Sequence, residues 1–280
     1  MLEWRERENE EDDLMDLNDP RTVNSLRQCG LLKFFKVQAM RAQWRLLEYL
    51  VHMWDSDQQV LHMGFQVLIL DIEDIYFLTL FSCHGSRVTL IGGQGGGFLM
   101  SDYICRHCEP NAERRKGKVA IRGVRDLTLR TIFFTVARMA GSSSPHMALQ
   151  SYFQHAIECL EPRVFNWCDG VLHSMKTQLM KGKNGDLKQF GYGSILVSFF
   201  LERVPHLHLQ VEWEIPAPRD PRMKRWCDLM TRHVAGRIVK YDDAFFNWLG
   251  PQILMIDDYA YAGLDFRGDP DLVLPEGSQW

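Results

Sequence analysis

No stretch of this chain stays apolar for the roughly 18 to 20 residues that a membrane-spanning helix requires. Its longest apolar segments are broken by Asp, Glu, Arg or Gln. Nor is there an apolar run near the start, where charge dominates, so no secretory leader is expected. The chain lacks the basic excess of a general nucleic-acid binder: its net charge of −4 argues against a broad cationic surface and leaves room only for a local one. The seven cysteines are odd in number and scattered, which excludes a disulfide framework as the basis of the fold. A reducing, intracellular setting with free thiols is the expectation. No internal repeat is present. What the chain has in quantity is core material: 46% of it is apolar, with 16 Phe, 13 Met and 8 Trp, enough for a sizeable core without metal or disulfides.

The organisation expected is a mainly α, multi-helical single domain with a small β element in the N-terminal third. Residues 1–30 read as an acidic, disordered leader, because Glu and Asp far outnumber Arg5 and Arg7 at its start. The helical domain is expected over 31–262, and 263–280 as a C-terminal loop and tail. Phe35, Met40, Trp44, Leu47, Leu50, Val51 and Trp54 fall at spacings of three and four, predicting an amphipathic helix. Further helices are expected over 101–108, 127–139, 145–160, 164–180, 190–204, 222–233 and from Asp242 or Asp243 to Trp248. The one at 145 rests on Ser144–Pro145, an N-cap followed by Pro at the first helical position.

The most informative stretch is 54–85. Trp54 precedes a segment in which Phe65, Val67 and Ile69 alternate with Gln66 and Leu68, the period of a strand. Asp71 then stands where an N-cap belongs, with Glu73 and Asp74 in the first turn, where acids complement the helix dipole. Ile75, Phe77, Leu78 and Phe81 supply an apolar side, and Gly85 closes the unit. This order resembles the signature of the plant mobile domain family, also called the aminotransferase-like plant mobile domain. There, a Trp precedes a short strand, an acidic helix start, a Thr-Gly-Leu-Pro segment and a Gly. Asp71-Ile-Glu73-Asp74-Ile75 matches the helix start; Thr79-Leu-Phe-Ser82 departs from the Thr-Gly-Leu-Pro exit. A second block, 190–205, is similar to the family's later helix and ends in Glu202, Arg203 and Pro205. The resemblance implies a plant protein related to transposon-borne sequences, whose domesticated relatives act in the nucleus in meristem maintenance, development and transposon silencing. It implies no catalytic residue and no cofactor, and no Lys of this chain has a recognisable cofactor-anchoring context.

Other chemistry-bearing residues have plainer readings. The cluster Gly92, Gly93, Gly95, Gly96, Gly97 fits neither G-x-G-x-x-G nor G-x-x-x-x-G-K, because Phe98 stands where the last Gly or the Lys is needed. Cys105 and Cys108 have C-x-x-C spacing, and Cys83 or His84 with His107 could complete a tetrahedral zinc site, but a second pair at standard spacing is absent. The acid pairs Glu73/Asp74, Asp242/Asp243 and Asp257/Asp258 read as helix caps and turns. Ser142–Ser144 with His146 lack a nucleophile elbow, and His155 and His173 read as helix residues. Basic residues at 114–118 and 181–188 read as solvated loops rather than nucleic-acid contacts.

Three functions follow in order of preference. The first is a non-catalytic nuclear module that binds protein partners through an aromatic-rich surface, using Trp213, Trp226 or Trp248 if the fold exposes any of them. The second is a transposon-derived DNA-acting enzyme joining Asp71 or Glu73 to Asp257 or Asp258 around a metal. The third is a zinc-stabilised binding fold on Cys105 and Cys108. No membrane association is expected.

Overall fold

The structure, a computed structural model, describes residues 17–36, 44–63, 66–90, 97–112, 114–115, 117–141, 146–183, 191–203, 220–232 and 247. Helices carry the architecture. In chain order they are α1 (Pro20–Gln28), α2 (Trp44–His52), α3 (Ile72–Thr79), α4 (Gly97–His107), α5 (Leu127–Met139), α6 (Gln150–Glu158), α7 (Trp167–Lys183), α8 (Gly193–Glu202) and α9 (Arg222–Arg232). Short strands join them. β1 (Trp54–Asp55), β2 (Val60–Met63) and β3 (Gln66–Ile69) form one antiparallel sheet. β4 (Ser86–Arg87) pairs in parallel with β8 (Phe165–Asn166), while β5 (Arg114–Arg115), β6 (Lys118–Ala120) and β7 (Met147–Leu149) form a third sheet. The mainly α expectation holds, with β elements small and partly early in the chain.

At the centre lies α3. Its residues from Asp74 to Thr79 are all buried, and it packs against α7, α8 and α9. A helix enclosed on every side has no use for an amphipathic pattern, which is why Ile75, Tyr76, Phe77 and Leu78 run consecutively. Around it, α5 packs on α6 and α1, and α2 on α7 and α8, so one continuous apolar core runs from Leu26 to Cys227.

Several expectations are corrected. The leader predicted over 1–30 ends sooner, because Pro20–Gln28 is helical and Thr22, Ser25 and Leu26 are buried. Asp19 caps this helix, accepting from the N–H groups of Arg21 and Thr22, which hold its carboxyl below the usual range. Thr128 Oγ1 also donates to Asp19 Oδ2 at 3.2 Å, tying α1 to the start of α5. The amphipathic segment does not continue through Trp54, which pairs with Leu61 in a sheet and is buried, whereas Trp44 is 55% exposed. In β3 the inward residue is Leu68, followed by Leu70, while Ile69 is 58% exposed; the register sets Leu68 opposite the buried Leu61. The phase of an alternation among apolar residues is decided by the partner strand. The helix expected from Pro145 begins at Gln150, because Met147–Leu149 completes the ladder on β6. The basic loop expected at Lys181 is instead the last turn of α7, which runs to Lys183, whose Nζ donates to the Trp54 carbonyl at 2.6 Å. Residues 1–16 and 263–280 lie outside the described residues, as does the helix expected at Asp242 to Trp248 apart from Asn247.

Candidate functional site

Asp71 and Asp74 open α3 with a reciprocal cap. Asp71 Oδ1 accepts from the Asp74 N–H at 3.1 Å, and Asp74 Oδ2 accepts from the Asp71 N–H at 2.9 Å. Both bonds satisfy donors that the first turn leaves without helical partners. Replacing Asp71 with Ala should therefore lower stability by about 1 kcal/mol, read as a shift of the urea midpoint. Glu73 is exposed and serves the same helix end by charge alone.

The helix exit carries strain. Leu80, standing where the resembled family has Gly, adopts φ 56° and ψ 30°, the left-handed region. Its N–H closes on the Tyr76 carbonyl at 2.6 Å. Side chains with a Cβ are disfavoured there by about 1–2 kcal/mol. Leu80→Gly should consequently be more stable than Leu80→Ala by about 1 kcal/mol in urea denaturation, the reverse of the order inside a helix.

Asp74 is 1% exposed, and its remaining oxygen, Oδ1, accepts from Nη2 of Arg203. Arg203 follows the last turn of α8 and is itself 97% enclosed, with its guanidinium 3.8 Å from the Phe199 ring centroid and Nη1 donating to the Phe199 carbonyl at 3.4 Å. An acid at the start of one helix thus meets a base at the end of another, each favoured by the local dipole. Directly before it, Glu202 is wholly enclosed. Its Oε2 accepts from Arg222 Nε at 3.0 Å and from Nη2 at 2.8 Å, while Oε1 accepts from Trp226 Nε1 at 2.6 Å and from Arg225. The Arg225 guanidinium stands 4.9 Å from the Trp226 ring. Glu202 therefore fastens α9 to α8, and Arg203 fastens α8 to α3.

These contacts decide what the site can do. A carboxylate acting on a substrate or a metal must present an oxygen to it. Asp74 and Glu202 present theirs to arginines, a tryptophan and the backbone. The arrangement is a chain of buried, hydrogen-bonded charges, costly to break at any single point and suited to fixing one mutual placement of three helices.

The two family-like blocks are thus brought together: Asp71 and Asp74 from the first, Glu202 and Arg203 from the second. Pro205 lies outside the described residues. Trp54 is buried in β1, and Gly85 has φ +102° with its Cα against Val164. Sequence reasoning did not reach Arg222 and Arg225. Their i, i+3 spacing with Trp226 at i+4 put them on one face of a helix, yet nothing along the chain says that this face meets Glu202. Trp226, a candidate contact on condition of being exposed, is buried; Trp213 and Trp248 lie outside the described residues.

The zinc candidates do not converge. Among the described residues no group of three or more His, Cys, Asp or Glu is placed to hold a metal ion. Cys105 is exposed near the end of α4 while Cys108 is buried after it, so the C-x-x-C spacing straddles the helix end with its thiols in different surroundings. Cys83 Sγ lies 3.4 Å from His84 Nε2, and burial pushes the Cys83 thiol up. Cys168, also raised by burial, donates to the Phe81 carbonyl at 3.1 Å. His155 Nε2 stands 3.1 Å from the Thr89 carbonyl oxygen, and His173 is exposed. The glycines at 92–96, Ser142–Ser144, and the acid pairs at 242–243 and 257–258 lie outside the described residues.

The fold and this network define a mainly helical protein organised about a buried ionic lock. Compared with known proteins, the chain matches no family model, no curated protein and no solved structure. No helix among the described residues is long and apolar enough to cross a membrane.

Proposed function

We propose that the chain is a non-catalytic protein-interaction module of the plant mobile domain type, acting in the nucleus in meristem maintenance, development or transposon silencing. One observation supports the reading above the rest. The two motif blocks, 129 residues apart, bond to each other in the core, so the residues shared with that family serve architecture. A signature that encodes a scaffold leaves function to surfaces, where partner choice resides. The alternative, a carboxylate metal enzyme, draws on Asp71 and Glu73, of which Asp71 is engaged as a cap.

The test has two arms. A tagged full-length chain expressed in plant cells should concentrate in nuclei and retain the same proteins after cross-linking and stringent washing in independent preparations. Purified chain incubated with Mg²⁺ and DNA should leave the DNA intact. Cleavage that disappears in Asp71→Asn or Glu73→Gln would establish the enzyme instead, and exclusion from nuclei would remove the proposed setting.

A further inference from the structure

Two of the seven cysteines meet inside the fold, although they lie far apart in the chain. Cys29 closes α1 and Cys159 closes α6, each as the residue just past the last helical turn. Both helices pack on α5. Both residues are free cysteines, with exposures of 0% and 1%, and their side chains hydrogen-bond to each other.

The backbones that carry them are fixed. Cys29 N–H donates to the Ser25 carbonyl at 3.0 Å, and the Cys29 carbonyl accepts from Trp167 Nε1 at 2.5 Å. Cys159 N–H donates to the His155 carbonyl at 3.0 Å. Cys29 Sγ has one further partner, the Leu26 carbonyl at 3.6 Å. The other cysteines are placed differently. Cys83 lies near Cys168, but the Cys168 thiol donates to the Phe81 carbonyl at 3.1 Å. Cys105 is exposed.

A thiol is a weak donor and a weak acceptor, so contact between two of them does little to hold α1 on the core. What the contact supplies is proximity. Two sulfurs side by side need only a small approach to reach the S–S length of about 2 Å, and their reaction is intramolecular. Disulfides that form in otherwise reducing surroundings are characteristically transient or redox-sensing.

We propose that Cys29 and Cys159 form a reversible disulfide clasp, which locks α1 to α6 when the surrounding thiol–disulfide balance turns oxidising. The clasp stands apart from the proposed protein partners. Its oxidant is a small disulfide, such as oxidised glutathione. One cysteine thiolate attacks it, giving a mixed disulfide and one reduced glutathione. The second cysteine then displaces the other glutathione. Two protein thiols become one disulfide, and the two glutathiones released take up the two protons. The hydrogen bond with Cys29, together with burial, holds the Cys159 thiol above its ordinary range. Attack therefore begins at Cys29, in the moments when α1 lifts from α5.

The experiment equilibrates purified full-length chain, without denaturant, in glutathione buffers of increasing oxidised fraction. Acid quenching, alkylation and peptide mapping then locate every disulfide. Cys105, being exposed, shows by its glutathione adduct that the oxidant is active. A peptide pair joined through Cys29 and Cys159 should accumulate with the oxidised fraction and disappear on reduction. The urea midpoint should rise with it by about 1 M, since the link closes a loop of about 130 residues in the unfolded chain. Cys159→Ala should abolish both the link and the rise. Mapping of the parent chain decides the question by itself where that variant does not fold. Cys29 and Cys159 remaining thiols while Cys105 is modified would overturn the proposal. So would a link of either to another cysteine, a Cys83–Cys168 link in their place, a link formed only in urea, or a midpoint unmoved by the link.

Discussion

Replacing Arg203 with Met is expected to lower the stability of the chain by about 3–5 kcal/mol, the usual consequence of leaving a buried charge without its partner. Asp74 would keep its cap contact with the Asp71 N–H, but its Oδ1 would lose the Arg203 contact in a site that is 1% exposed. Asp74→Asn keeps an oxygen for the cap but leaves the buried Arg203 cation without the Asp74 carboxylate, and should cost a comparable amount. The informative quantity is the double variant. Asp74→Asn with Arg203→Met should be more stable than the sum of the two single changes by about 2 kcal/mol, because the second change removes the group stranded by the first. Urea denaturation of the four proteins measures this. Additivity within about 0.5 kcal/mol would show that the two side chains do not interact in solution.

Gly85→Ala should be as damaging for a different reason. At φ +102° a Cβ is strained by about 1–3 kcal/mol, and here it would lie 2.3 Å from the Val164 carbonyl oxygen. That same oxygen accepts from Ser86 N–H at 2.9 Å, so relief by movement breaks the β4–β8 pairing. Overpacking of this kind adds about 1–3 kcal/mol. Gly117→Ala is the matched control, with φ +73° but nothing within 4 Å of the added carbon, and should show only the backbone term. A difference of about 2 kcal/mol between the two midpoints isolates the clash; equal losses would mean that β4 and β8 do not approach as described.

What could be read along the chain was local. The strand before Asp71, the cap itself and α5 with its Ile132, Phe133, Val136 and Met139 are each specified by residues within one turn or one strand of each other. The errors share a cause of the opposite kind. Which face of β3 turns inward depends on β2, and whether 147–149 is helix or strand depends on β6. Asp19–Pro20 shows that a local signal can also be overlooked, since acidic composition upstream masked an ordinary cap-and-proline start. For the site, Asp71, Asp74, Glu202 and Arg203 were legible as motif members. Their mutual contact was not, because a pairing across the core leaves no spacing to recognise. Arg222 and Arg225 had even less to mark them: two arginines on a polar helix resemble a solvated face until Glu202 is placed beneath it.

The ion pair between Asp74 and Arg203 also sets a timetable. Ribosomes add about 5–20 residues per second, so the 129 residues separating these partners take on the order of ten seconds to make. Throughout that interval α3 exists without the cation that allows Asp74 to be buried and without α8 and α9 to cover it. The buried residues Asp74 to Thr79 of α3 are therefore left without part of their cover on the nascent polypeptide until the second motif emerges. A chain cut short before residue 203 would be left holding an open core, the form that chaperones retain and proteases remove.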